Sequence, residues 1–229
     1  MTTQAEVKRL IKPLLDRHPD FILVGRWLYL RPIHHFARAI LIDRTSNPNL
    51  FNPRWAVMHL FQWRRSFHLN WSEFLDNVAS RRPAIWDKSD PNLASTMIDQ
   101  TESVVLPKLR AIQTLNDYLA YVSQHYLRHH LFDRPDVRLI VESALGNWDS
   151  ARSICEEHLD GQFRDNPLHD DDGRATYQRI RALCACVTEG DSQGAAKLLH
   201  AWEAATAKNL KIEHIWEPTP FPFERRSVQ

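Results

Sequence analysis

The chain has 229 residues, of which 43% are hydrophobic and 25% are charged, and it contains only 6 glycines. This composition is typical of a folded globular protein and excludes disordered and collagen-like classes. With a formal net charge of +1, the chain lacks the strong excess of basic residues that is typical of a nucleic-acid-binding domain. No apolar run approaches the ~18 residues of a membrane span, and no basic segment followed by an apolar one predicts a secretory signal at the start.

The small net charge conceals an uneven distribution along the chain. Residues 1–89 carry 14 Lys and Arg against 7 Asp and Glu, a balance of +7, whereas residues 90–229 carry 15 against 21, a balance of −6. This pattern predicts a basic region followed by an acidic one. Because the two balances nearly cancel, we favour complementary surfaces of one compact unit over a basic surface that meets an external anionic partner.

The first predicted element is an amphipathic helix over residues 4–17. Thr3 and Glu6 have the spacing of a capping box, in which each side chain bonds to the backbone N–H of the other. Apolar residues then recur at helical spacing on one face. Pro13 lies inside this segment and predicts a kink or an early end of the helix, because proline has no backbone N–H to donate.

Four strands are predicted to follow as an antiparallel meander. Residues 21–24 and 27–30 flank the dipeptide Gly25-Arg26, and a glycine in the first position of a two-residue connection predicts a type II′ hairpin turn. Further strands are predicted over residues 36–43 and 55–62, with a turn-rich segment between them. These connections are short enough for each strand to pair with the next.

From residue 71 onward the chain has helical periodicity. We predict helices over residues 71–78, 91–112, 115–130, 135–145, 148–160, 174–188 and 192–209. The sequence therefore predicts an α+β fold, in which a four-stranded antiparallel meander sheet with an N-terminal helix precedes an α-helical region of stacked helical hairpins.

Two similar glycine-containing segments connect predicted helices of the acidic region. Residues 146–151 read Gly-Asn-Trp-Asp-Ser-Ala and residues 190–195 read Gly-Asp-Ser-Gln-Gly-Ala, so the first glycine and the final alanine have the same separation in both. This spacing resembles the tight turn of helix-hairpin repeats such as those of the tetratricopeptide family, and the resemblance covers the turns only. It implies two stacked helical hairpins, an arrangement that leaves a concave surface often used for partners.

The C-terminal segment, residues 216–229, is rich in proline. Prolines at positions 218, 220 and 222 exclude a helix there and favour an extended path. We expect Trp216, Phe221 and Phe223 to pack against the chain's own core. The alternative is that this segment contacts another subunit.

Three cysteines, Cys155, Cys184 and Cys186, lie in the second half of the chain. An odd number without regular spacing argues against a disulfide framework. Cys184 and Cys186 point to nearly opposite sides of a predicted helix and cannot pair with each other. We therefore predict three small buried hydrophobic side chains in a reducing compartment, and hence a cytoplasmic protein.

Candidate binding residues lie on the predicted strands. Arg38 shares its side of a strand with apolar residues, so its guanidinium needs a carboxylate or a ligand anion. If the faces of the strands coincide, six side chains form a pocket in which arginines hold an anion, tryptophans stack on a planar group and a histidine moves a proton. These candidates are Trp27, Tyr29, Arg31, Arg38, Trp55 and His59. The alternative, which we favour, is that Arg38 pairs with an internal acid and the aromatic residues belong to the core.

The 12 histidines do not form a recognisable metal motif. His125 and His129 share one face of a predicted helix, but the segment between them lacks the glutamate of the zinc-protease motif, and a helix C-terminus by itself favours histidine. The glycine-rich motifs of dinucleotide-binding, phosphate-binding and esterase sites are also absent. We predict no metal site and no cofactor.

These patterns favour an intracellular interaction module that binds a protein partner or self-associates, without catalysis. The first alternative is a small-molecule or nucleotide-dependent enzyme that uses the arginine, tyrosine and histidine candidates above. The second is single-stranded nucleic-acid binding by the basic first half, which interleaves basic and aromatic residues. The segments concerned are Arg54-Trp55, Trp63-Arg64-Arg65 and Arg81-Arg82 with Trp86. No membrane association is predicted.

Overall fold

The computed structural model describes residues 3–76, 85–125, 134–164 and 171–226. It contains an N-terminal helix, an antiparallel sheet and a later series of helices, so the predicted α+β class is confirmed. The strands are β1 (Phe21–Val24), β2 (Trp27–Leu30), β3 (Phe36–Arg44), β4 (Leu50–His59), β5 (Ser72–Phe74) and β6 (Trp86–Asp87). The helices are α1 (Gln4–Arg17), α2 (Leu93–Gln100), α3 (Leu106–Ala111), α4 (Leu115–Gln124), α5 (Pro135–Leu145), α6 (Trp148–Arg164), α7 (Asp171–Glu189), α8 (Ser192–Asn209) and α9 (Pro222–Arg226).

The sheet is antiparallel, with the strand order β1-β2-β3-β4-β5 and with β6 paired to β4. The prediction of four strands is therefore too low. The helix predicted over residues 71–78 is wrong, because residues 72–74 form β5 against the middle of β4. Pairing with a neighbouring strand overrides a short helical pattern, and no local signal in this segment reveals the partner.

Helix α1 begins and ends as predicted. The Thr3 hydroxyl accepts a hydrogen bond from the Glu6 N–H, and the Glu6 carboxylate accepts one from the Thr3 N–H. That second bond, together with the Lys88 ammonium, lowers the pKa of Glu6 to about 2. The helix continues through Pro13, so the predicted early end does not occur. Buried apolar residues before and after the proline hold this helix to the fold.

The predicted helix over residues 91–112 is interrupted in the structure. A π-helical turn, Thr101–Val105, joins α2 to α3. Pro107 follows this turn, lacks an N–H and has a ring that crowds the carbonyl four residues earlier. The wider turn relieves this crowding without ending the helical path.

Contacts divide the chain into two compact units. The first comprises Met1–His59, Phe67–Tyr121 and Leu210–Glu217, and the second comprises Leu60–Ser66, Val122–Asn209 and Pro218–Gln229. The first unit contains the sheet with α1, α2 and α3, and the second contains α5 to α9. The division by charge after residue 89 stays a prediction.

In the second unit, helices α5 to α8 form two hairpins with the same turn. Gly146 and Gly190 end the first helix of each hairpin with φ of +78° and +74°, a left-handed conformation that favours glycine. In each turn the N–H groups of the glycine and of the next residue donate to carbonyls of the preceding helix, at 2.8–3.3 Å. The predicted helical-hairpin turns are thus confirmed.

The prediction of three buried, unpaired cysteines is wrong. Cys155 on α6 and Cys184 on α7 form a disulfide with Cα atoms 5.8 Å apart, and the Cys186 thiol is half-buried. The bonded cysteines are 29 residues apart, and packing of the two helices brings them together. Because disulfides persist in oxidising environments, the cysteines do not support a reducing compartment, and the cytoplasmic location stays a prediction. Among the described residues, none of the helices combines the length and apolar character needed to cross a membrane.

The aromatic residues of the C-terminal segment pack against the chain itself, as expected. In the second unit, Phe221 is buried with its ring 5.7 Å from that of Phe61, and Phe223 lies 5.0 Å from Trp148. The expectation that prolines exclude a helix here is wrong, because Pro222 begins α9. Proline is tolerated at the first position of a helix, where its missing N–H would have no partner.

Candidate functional site

The register of the sheet divides the predicted six-residue pocket between two faces. Residues directly opposite on neighbouring strands share a face, and successive residues on one strand alternate between faces. Trp27 and Tyr29 lie on one face. Arg38, Trp55 and His59 lie on the other, because they pair with Leu30, Ile40 and Phe36 respectively. The expectation that these faces coincide is therefore wrong, since a shift of one residue in register reverses a strand's faces.

Trp27 and Tyr29 belong to an aromatic cluster with Phe67. The rings of Trp27 and Phe67 stack with their centroids 4.3 Å apart, and Tyr29 lies 6.2 Å from each. Tyr29 is buried, and this burial raises the pKa of its hydroxyl. A phenol that is this difficult to ionise is poorly suited to proton transfer near neutral pH.

Trp55 and His59 are part of the core on the opposite face. Trp55 is 1% exposed and lies beside Tyr121, with a centroid distance of 5.6 Å. The His59 imidazole contacts the Tyr118 hydroxyl through Nδ1 at 2.6 Å, and both side chains are buried. Neither candidate lines the cleft described below.

Arg38 is buried, with 5% of its surface exposed, and it binds backbone carbonyls instead of a carboxylate. Its Nη1 donates to the carbonyl oxygens of Leu109 and Ile112 at 3.2 and 2.8 Å, and its Nη2 donates to that of Pro32 at 2.8 Å. The expected internal acid is thus absent from its contacts within the described chain. The carbonyls at the C-terminal end of α3 carry partial negative charge, which stabilises a guanidinium there.

The charge of Arg38 is incompletely compensated. Its Nε is buried and has no hydrogen-bond partner. Burial lowers the pKa of Arg38, and the negative charge of Asp20 acts in the opposite direction. A buried cation without a contacting carboxylate leaves a region of positive potential around it.

Arg38 lines a cleft of about 290 Å³ in the first unit. The cleft brings together the end of β2, the loop before β3 and the end of α3. Its lining residues are Asp20, Leu30, Arg31, Pro32, His34, Phe36, Arg38, Arg110 and Gln113. Of the six predicted candidates, the structure places Arg31 and Arg38 here together.

Three arginines and one aspartate set the charge of this cleft. Arg110 forms an ion pair with Asp20, with distances of 3.2 and 2.9 Å to its two carboxylate oxygens. Exposed Arg31 donates to the carbonyl oxygen of Pro19 at 2.6 Å. With Arg38, the three cations and one anion give a net charge of +2. The arrangement can therefore bind an anion through charge-assisted hydrogen bonds.

The loop that carries Arg31 and His34 is fixed from two sides. On one side Arg38 donates to the Pro32 carbonyl, which follows a cis peptide bond. On the other, Ile33 forms a parallel bridge with Trp216, whose Nε1 donates to the His34 carbonyl oxygen at 3.1 Å. The rim of the cleft is thus preorganised by its own chain, which reduces the ordering cost of binding.

Arg110 and Asp20 are the charged lining residues that the sequence-based prediction missed. Arg110 is in the last turn of α3, where a basic residue is expected for the helix alone. Asp20 precedes β1 in a turn and resembles an ordinary solvated residue. No spacing connects two positions 90 residues apart, so only packing reveals their ion pair.

The other sequence candidates, where the structure describes them, give no evidence of a second site. His129, Arg81 and Arg82 lie outside the described residues. Trp86 is fully buried, which leaves no face for stacking on a base. Within the described part of the chain, there is no cluster of three or more His, Cys, Asp and Glu side chains that could hold a metal ion. No protein-family model, curated protein sequence or solved structure matches this chain.

Proposed function

We propose that this protein is a binding module whose ligand presents an anionic group to the cleft around Arg38. The observation that carries the proposal is the net charge of +2 in a preorganised cleft, with a buried guanidinium at its base. Arginine suits this role because its planar donor fork matches carboxylate and phosphate groups.

Binding, and not acid–base catalysis, is the activity favoured by the placement of the candidates. Tyr29 lies on the opposite face of the sheet from Arg38, and His59 is outside the lining of the cleft. The hypothesis of an enzyme requires the tyrosine and histidine side chains to lie beside the arginines. A protein partner and single-stranded nucleic-acid binding by the basic first half stay predictions, and no contact described above favours them.

The test is ligand-induced stabilisation measured by thermal denaturation. Phosphate and sulfate should raise the melting temperature more than chloride at equal ionic strength, since a ligand at 100 times its Kd adds about 2.7 kcal/mol of stability. Arg31→Gln should weaken this effect, whereas Arg44→Gln, which alters an exposed arginine at the far end of β3, should retain it. Equal stabilisation by all three anions would refute the proposal.

A further inference from the structure

Building on the proposed function, we infer that the ligand of the Arg38 cleft is a phosphate monoester of a small polar molecule. A phosphate monoester carries a charge of about −1.5 to −2 near neutral pH and has three strong acceptor oxygens. Charge, donor geometry and volume of the cleft each favour this class.

The charge of the cleft matches a dianion. Arg110 and Asp20 satisfy each other through two short contacts. Arg31 and Arg38 are then the two lining cations that contact no carboxylate among the described residues. A dianion balances both of these charges, whereas a monoanion balances one.

The available donors also favour a group with three acceptor oxygens. An arginine side chain has five N–H donors. Among the described residues Arg31 donates one hydrogen bond, to the Pro19 carbonyl oxygen, so most of its donors remain for a ligand at the rim. Arg38 donates three of its five N–H groups to backbone carbonyls and its Nε is buried out of reach of a ligand, so at most one Nη2 N–H is left for the anion. Donors from two guanidinium groups on different elements suit a tetrahedral group better than a planar carboxylate with two oxygens.

The volume limits the rest of the ligand. A cleft of about 290 Å³ accommodates roughly ten groups the size of a water molecule, at ~30 Å³ each. Five of these correspond to the phosphorus and oxygens of a phosphate, so roughly five non-hydrogen atoms remain. Asp20, His34 and Gln113 are polar residues of the lining. The part of the ligand held inside the cleft thus corresponds to a small phosphorylated alcohol.

The deciding experiment compares methyl phosphate with methyl sulfate by calorimetric titration of the full chain at about pH 7.5. These probes have nearly the same shape but carry charges of about −2 and −1. We expect methyl phosphate to bind about tenfold more tightly or better, and glycerol 3-phosphate to bind more tightly still. Arg31→Gln should reduce the preference for the dianion, while Arg44→Gln should leave it unchanged.

The outcomes separate this inference from the proposed function. Equal affinity for the two methyl esters would overturn the inference of a dianionic ligand and leave anion binding intact. Tighter binding of succinate than of methyl phosphate would overturn the phosphate assignment in favour of a dicarboxylate. Preference for a phosphoserine peptide over glycerol 3-phosphate would replace the small molecule by a phosphoprotein. No binding of any anion would refute the proposed function itself.

Discussion

The two helical hairpins of the second unit offer a matched test of how the C-terminal segment docks. Gly146 and Gly190 occupy equivalent turn positions with nearly the same positive φ. A Cβ built on Gly190 has no heavy atom within 4 Å, whereas one on Gly146 would lie 2.6 Å from the Cβ of Phe223. The two sites therefore share a backbone requirement and differ in steric surroundings.

Alanine at either position should destabilise the fold, but by different amounts. The left-handed conformation costs an L-residue roughly 1–2 kcal/mol, and this cost applies to both Gly146→Ala and Gly190→Ala. Gly146→Ala should lose about 1–3 kcal/mol more, because the added methyl group displaces Phe223 from a packed site. Urea denaturation followed by far-UV circular dichroism measures both free energies of unfolding.

A third substitution identifies the source of the difference. In a Phe223→Gly background the clashing Cβ is removed, so the two alanine variants should lose similar free energies. Equal losses in the wild-type background would refute the docking of Phe223 against this turn. If the difference between the two alanine variants persists in the Phe223→Gly background, another contact of Gly146 is responsible for it.

Three further predictions concern the disulfide, a histidine and the buried arginine. Reduction of the Cys155–Cys184 disulfide should lower the free energy of unfolding by about 3.6 kcal/mol, because the bond restricts the entropy of the unfolded chain over a 29-residue separation. Thiol titration in denaturant should find one free thiol before reduction and three after it. A hydrogen bond with Glu203 raises the pKa of His200. The protonated imidazole therefore stabilises the fold fully below about pH 6.5, and this stabilisation is lost as pH rises through the raised pKa. The variant His200→Gln should show a smaller fall in melting temperature with rising pH. Arg38→Met leaves three carbonyl oxygens without their donor and should cost about 3 kcal/mol in chemical denaturation. Arg9→Met, which alters an exposed arginine of α1, should change stability by less than about 0.5 kcal/mol.

Local signals in the sequence predict the start of α1 and the turns of the helical hairpins. The Thr3 and Glu6 capping box and the glycines at 146 and 190 each act within a few residues, so their effect is readable from the chain alone. Residue 72 shows the limit of such signals. It begins a strand only because β4 lies beside it, and that neighbour is distant in the sequence.

The sequence by itself also determines that Arg38 is unusual, because a guanidinium among apolar strand residues requires compensation. Only the tertiary structure decides what compensates it. The partners are backbone carbonyls at the end of α3 and in the loop before β3. Every residue has a carbonyl, so the sequence does not reveal which of them bind Arg38. The cleft also needs strand register and the approach of Arg110 to Asp20, which depend on packing between elements far apart in the chain.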